Sequence, residues 1–475
     1  MIRRLSALLV ALGCATAIGA VDTPESTAAR RFAAIRQNPA LLLPFLHDMP
    51  KGGDLHNHLS GAVYAEDFLR WAAEDKLCLA TATMTIVAGT CDAGTGQPPV
   101  SAVLQNGTLY GQAIDAMSMR NWNPTLSGHD HFFASFAKLG PSSQRIGDML
   151  ADVASRAAAE HVSYMELMLT PDGGASALRG ANAGWDADLG RLRDKLLSTG
   201  FKEAVVSEAR TRLDAAEARQ RALLRCGTPR ADAGCLVTIR YISQVQRAGR
   251  PEAVFAQILG GFEMASAEPR LVSFNLVQPE DDPVAVRDFS LQMSMIDYLH
   301  GLYPRVPITL HADELAPGLV APEALRFHIR ESVGRGHASR IGHGVAVMHE
   351  DNAFALLREM AAKKVLVEVA LTSNDLILGI KGKRHPLNTY LRFGVPVAIV
   401  TDDMGVSRST HTQEFIKAVE EHGLDYRTLK TMAQNSLEYS FADAATKSGL
   451  KSGLEKGFRA FEVGVSRQVI ENSFK

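Results

Sequence analysis

Eight short β-rich runs separated by helical patterns predict a (β/α)8 barrel, a parallel sheet closed on itself with helices outside. The runs are "GDLHNHLSG" (53–61), "VSYMELMLT" (162–170), "LVTIRYISQV" (236–245), "LVSFNLVQ" (271–278), "VPITLHADE" (306–314), "RIGHGVAV" (340–347), "KVLVEVALTSN" (364–374) and "VPVAIVTDD" (395–403). Helical periodicity fills most of the gaps, as in "HEDNAFALLREMAAKK" before the seventh run. Ionisable residues gather at the C-terminal ends of four runs, the end at which such barrels carry their chemistry. A closed barrel is the simplest arrangement of eight alternating strands.

The barrel needs about 250 residues, and the chain has 475, so extra segments are expected. Residues 77–130, rich in Gly, Thr and Pro, read as an insertion after the first strand and its helix. Residues 187–225 are charged and amphipathic and read as one or two outer helices, and 406–475 read as mostly helical. With no clear linker, 50–475 is expected to be a single domain, preceded by an N-terminal segment (21–49).

The opening "MIRRLSALLVALGCATAIGA" places two arginines before a short apolar run and small residues. It reads as a secretory signal, residues 1–20, and is too short to span a bilayer. Cys14 invites a lipoprotein reading, but the leucine before it stands one place too late for the usual lipidation motif. Export to the periplasm or the exterior is therefore expected. The four remaining cysteines, Cys78, Cys91, Cys226 and Cys235, allow three pairings. The local pairing, 78 with 91 and 226 with 235, is expected, with free buried thiols as the alternative. A net charge of −2 gives no electrostatic case for nucleic acid or an anionic membrane. The expected partner is a small molecule, and a homodimer is left open.

The strand ends carry the functional argument. His56 and His58 close the first run and project to the same face of a strand, here the barrel interior. The fifth run ends with His311 and Glu314, the sixth holds His343, and the eighth ends with Asp402 and Asp403. Two histidines from one strand, a third from another and a carboxylate make a nitrogen-rich donor set suited to zinc. Other histidines, such as His47, His300, His328, His349 and His422, are expected at surface or capping positions. "SGHDHFF" repeats the spacing with His129 and His131, but it reads as the start of a helix and is assigned no metal. Glu166, inside the second run, is assigned a structural role.

The set "HNHLSG", "HADE", "RIGHG", "LTSN" and "TDD", in this order, resembles the adenosine deaminase family of metal-dependent hydrolases, from about Pro50 onward. The exported, cysteine-bearing form looks most similar to the secreted, growth-factor-related adenosine deaminases. The resemblance implies one catalytic zinc held by His56, His58, His311 and Asp402, with Asp402 also counted among the catalytic residues. His343 would orient the attacking water and accept its proton. Glu314, kept neutral by a dry pocket, would protonate the purine ring nitrogen. Asp403 would hydrogen-bond the imidazole-ring side of the purine, and His58 would also border the substrate. The implied reaction converts adenosine, and 2′-deoxyadenosine, to inosine and ammonia. Phe132, Phe133 and Phe136 match an apolar helix over the site mouth, with ordinary packing as the alternative.

Two positions depart from the compact family pattern. Ser60 stands where that family has an aspartate touching the ribose 5′-hydroxyl, and Gln278 stands where a glycine backbone approaches the purine. Both are taken as substrate-binding positions that unsettle sugar recognition. A modified adenosine, adenine or another 6-aminopurine is the alternative substrate, and a non-catalytic nucleoside-binding protein is the alternative outside enzymes.

Overall fold

The computed structural model describes residues 23–473, so the signal segment and its cleavage point lie outside the described residues. Eight parallel strands form the barrel: β1 (Gly52–His58), β2 (Val162–Leu169), β3 (Thr238–Gln246), β4 (Leu271–Val277), β5 (Thr309–Ala312), β6 (Arg340–His343), β7 (Leu366–Val369) and β8 (Val397–Ile399). They pair in chain order as two ladders, β1 to β4 and β5 to β8. Every residue of β1 is buried, as a parallel strand covered on both faces requires.

Two seams join the ladders, and both pass through residues singled out by the sequence. At one, the Asp402 N–H donates to the His56 carbonyl at 2.9 Å, and Asn57 bridges Asp402. At the other, the Asn275 side-chain oxygen accepts the His311 N–H at 2.9 Å, while the Ser273 hydroxyl donates to the Pro307 carbonyl at 2.9 Å. Polar side chains there do the work of a backbone ladder.

The strands are shorter than the β-rich runs. After His58 the chain turns into the helical segment Leu59–Ala62, and "LTSN" opens the helix Leu371–Leu378. Beyond its last ladder partner the backbone must satisfy its own groups, as when Asn374 N–H donates to the Ala370 carbonyl at 3.0 Å. At this rim four non-glycine residues take positive φ: Gln278 (+82°), Asp313 (+59°), His343 (+66°) and Asp402 (+55°). Such conformations cost on the order of 1–3 kcal/mol each and collect where function over-determines the backbone.

The helix Pro251–Ala267 buries Phe255, Ile258, Leu259 and Phe262 as part of the outer ring. Residues 187–225 supply two outer helices, Leu189–Leu197 and Phe201–Leu223. The insertion contains a hairpin, Cys78–Ala80 with Thr85–Val87. Disulfides link Cys78 to Cys91 and Cys226 to Cys235, the local pairing expected. The N-terminal helices Pro24–Ile35 and Pro39–Asp48 pack on the C-terminal ones, with Phe45 and Phe461 ring centroids 5.0 Å apart. Two histidines expected near the surface are instead buried, His328 and His422. His328 stacks on Phe289 at 3.8 Å and serves a buried carboxylate described below.

Candidate active site

The C-terminal rim brings His56, His58, His311 and Asp402 together, with one donor atom from each lying within 4.8 Å of all the others. His56 Nε2 stands 3.1 Å from His311 Nε2, and His58 Nε2 stands 3.3 Å from both His311 Nε2 and Asp402 Oδ1. On their far sides the rings are held: His56 Nδ1 by Glu368 at 2.7 Å, His311 Nδ1 by Asn275 Oδ1 at 2.9 Å and His58 Nδ1 by the Gln244 amide at 2.9 Å. With Nδ1 of His56 and His311 engaged by oxygen acceptors, their Nε2 lone pairs point at each other. That contact is repulsive unless a proton or a metal cation lies between them. The donor set fits zinc, which takes imidazole nitrogen and carboxylate oxygen and relies on such outer partners to fix each ring.

Burial holds His58 near 3 and pushes His311 well below the ordinary histidine range, so both imidazoles are neutral, as ligation demands. Burial opposes a proton on His56 too, but the neighbouring carboxylates of Asp402 and Glu368 outweigh it and raise the ring to about 10. In the cluster without a cation, that proton supplies the positive charge the two carboxylates demand.

Among the buried polar atoms of the described residues that lack hydrogen-bond partners are four at this site: Asp402 Oδ1, His343 Nε2, Glu314 Oε1 and Asp403 Oδ1. Orphans are rare in folded proteins and mark places where a ligand or ion belongs. A cavity of about 490 Å³ opens onto His58, His311, Glu314, Asp402 and Asp403. Burial, then Asp402 and Glu280, push the Glu314 carboxyl well above its ordinary range, and burial with Asp402 does the same to Asp403. Both environments thus favour the uncharged acid.

Two glycines make room for this geometry. A Cβ on Gly61 would stand 1.6 Å from Asp403 Oδ1, and one on Gly342 would stand 2.7 Å from His56 Cε1. The glycine of "HLSG" is thus fixed by the carboxylate of "TDD".

The direction of one hydrogen-bond chain bears on His343. The Leu387 N–H can only donate, and it donates to His385 Nδ1 at 3.2 Å. His385 Nε2 then donates to Asn374 Oδ1 at 3.1 Å, and Asn374 Nδ2 donates to His343 Nδ1 at 2.9 Å. Neutral His343 therefore carries its proton on Nε2, which suits it to orienting a nucleophile. Acceptance of a proton at Nε2, the other half of the expected role, runs against this chain.

Several residues that serve the site had no role assigned from the sequence. Glu280 accepts the backbone N–H groups of Asp313 at 3.0 Å and Glu314 at 2.8 Å, and is held by His328 at 2.5 Å. Asn374 lies inside the quoted "LTSN", Glu280 follows the fourth run by two positions, and Glu368 is a lone acid in an otherwise apolar strand, which was the available signal. Glu166 is structural: it binds Arg340 at 2.6 Å and the Tyr164 hydroxyl at 2.7 Å. Ser60 and Gln278 line the cavity. Gln278 adopts the glycine-like backbone, and its side-chain oxygen accepts the Ala248 N–H at 3.0 Å, so its carboxamide is tied to the neighbouring loop.

Phe132, Phe133 and Phe136, on the helix Gly128–Phe136, line the same cavity. His129 of that helix pairs with Asp281 at 2.9 Å, while His131 Nε2 meets the carbonyls of Asp115 and Ser118. Among the described residues neither belongs to a metal-competent group.

A sequence model of the adenosine deaminase family matches residues 112–457. The adenosine deaminase of Enterococcus faecalis is 32% identical over 154 residues, covering 32% of this chain and 42% of the relative. The chain thus matches about two fifths of that relative's length. In fold, it is similar to the N6-mAMP deaminase of Arabidopsis (TM-score 0.58, 18% identity, 87% of this chain and 99% of that one). It is also similar to the adenine deaminase of Arthrobacter aurescens (TM-score 0.53, 19% identity, 86% and 98%).

Proposed function

Because the chain belongs to the adenosine deaminase family, we propose that it is a zinc-dependent hydrolase removing the 6-amino group of adenosine, and of 2′-deoxyadenosine, to give inosine and ammonia. The observation that carries this is the convergence of four metal donors, a neutral buried carboxyl and two further orphaned polar groups on one cavity.

His56, His58, His311 and Asp402 would hold the ion. When bound, zinc supplies Lewis acidity that makes water a competent nucleophile near neutral pH. The remaining chemistry belongs to the side chains. His343 donates through Nε2 and orients the nucleophile. Glu314, protonated because burial and neighbouring carboxylates disfavour its charge, donates to the purine nitrogen beside the carbon under attack, a proton transfer worth roughly 10²–10⁴-fold in rate. Asp403, which lines the cavity and has an unpartnered oxygen, holds the far edge of the purine. Phe132, Phe133 and Phe136 cover the mouth and exclude water.

Export to an oxidising compartment fits the two disulfides. Among the described residues no helix is long and apolar enough to cross a membrane.

Ammonia release from the zinc-loaded chain with adenosine, 2′-deoxyadenosine, adenine and AMP tests the reading. Turnover of at least one 6-aminopurine is expected. Binding of all four without ammonia would instead establish a nucleoside-binding protein.

A further inference from the structure

A second cavity, about 420 Å³, adjoins the first at the catalytic rim. The two share Ser60, Phe136, Gln244 and Gln246 as common wall. Their linings differ. The first is lined by Glu314, Asp402 and Asp403, whereas the second is lined by no carboxylate, and its one ionisable lining residue is Arg212.

Arg212 reaches this cavity from the outer helix Phe201–Leu223 by crossing the Gly173–Gly174 loop. A Cβ on Gly173 would stand 3.1 Å from Arg212 Nη1, and both glycines take positive φ (+62° and +89°). The loop leaves the space that the guanidinium occupies. Arg212 Nε is buried without a hydrogen-bond partner. The carboxylate paired with it, Glu208, lies 3.9 Å from Nη1, beyond hydrogen-bond reach. The loop's own acid, Asp172, is spent on the N–H groups of Gly174 and Ser176 at 3.0 and 2.7 Å. A guanidinium with unused donors, in a carboxylate-free space opening from the metal-donor rim, suits an anion tethered to the reacting ring.

We propose that the second cavity is a subsite for the 5′-phosphate of a 6-aminopurine nucleotide, with Arg212 as the anion-binding group. The proposal rests on the deaminase reading above. In this placement the ring amino group meets the metal donors and the 5′ end is directed to the wall that the two cavities share. Ser60, on that wall, can donate to a phosphate oxygen where a carboxylate would repel it.

The test measures kcat/KM for AMP and adenosine on the zinc-loaded full chain, Arg212→Leu and Ser60→Asp, alongside calorimetric affinity for IMP against inosine. The wild type should favour AMP. Each substitution should lower the AMP-to-adenosine ratio by roughly tenfold or more, as loss of a charge-assisted contact implies, and the IMP-to-inosine ratio should fall with it. If adenosine is deaminated but AMP is not, the subsite is wrong. It is equally wrong if either variant, folded by its melting curve, keeps both ratios within about twofold of wild type. If neither compound is deaminated, the deaminase reading itself fails, whatever the binding ratios show.

Discussion

Glu368 Oε2 lies 2.7 Å from His56 Nδ1, while Glu368 Oε1 lies 2.6 Å from Arg340 Nε. Arg340 in turn binds Glu166 at 2.6 Å, so the four-donor cluster stands on a buried alternation of charges running through the barrel interior. All three of these supporting side chains are inaccessible to solvent. Glu368→Gln removes the charge that fixes the His56 ring. Zinc affinity should fall about 10–100-fold, the usual cost of losing such an outer partner. Competition against a graded chelator reads this directly, and an unchanged affinity would remove Glu368 from the metal's support.

Glu314→Gln keeps the shape but loses the acidic proton. Turnover should fall by roughly 10²–10⁴-fold, with zinc content unchanged, because Glu314 is not among the four donors. Elemental analysis with steady-state kinetics separates these effects. Near-normal turnover would take the acid role away from Glu314.

Gly61→Ala places a methyl group where Asp403 Oδ1 now lies. The carboxylate must move, since the clash is with a side chain packed in a buried rim. We expect kcat/KM to drop by more than about tenfold, because small misplacements of positioning groups are costly, while zinc stays bound. Wild-type kinetics in this variant would show that Asp403 has no positioning role.

Acid stability should carry the signature of Glu268. Hydrogen bonding from Arg270, at 2.8 Å, and from Arg210, at 3.2 Å, lowers its carboxyl to about 2 against the opposing effect of burial. A carboxyl lowered in the folded state binds fewer protons there than in the unfolded chain. Its stabilisation is therefore complete above the unfolded value of ~4.3 and is lost as pH falls toward 2. Glu268→Gln should melt lower than wild type at pH 7, and the gap should shrink as pH drops from 5 to 3. A gap constant over that range would contradict the ion-pair account.

Strand-end chemistry was legible because it lies in the residue types themselves: His56 and His58 share a face by simple alternation, and the remaining donors recur at other strand ends. The local disulfides were legible from spacing. What could not be read were contacts set by three-dimensional closure. Glu368 faces His56 across 312 positions of chain, and His328 looked like a surface residue until Glu280 met it in the interior. The direction of the Leu387–His385–Asn374–His343 chain likewise depends on which atoms meet. Strand lengths were overestimated because β-rich composition continues past the last ladder partner into helical turns such as Leu59–Ala62.

Deamination in this reading depends on one zinc ion held by His56, His58, His311 and Asp402. The most direct measurement follows zinc content and ammonia release together on the wild type and on His311→Ala, before and after chelation and zinc addition. One zinc per wild-type chain is expected, with ammonia release from adenosine or AMP lost on chelation and restored by zinc, and with little metal in His311→Ala. Full zinc occupancy in His311→Ala, or undiminished ammonia release from the chelated wild type, would contradict it.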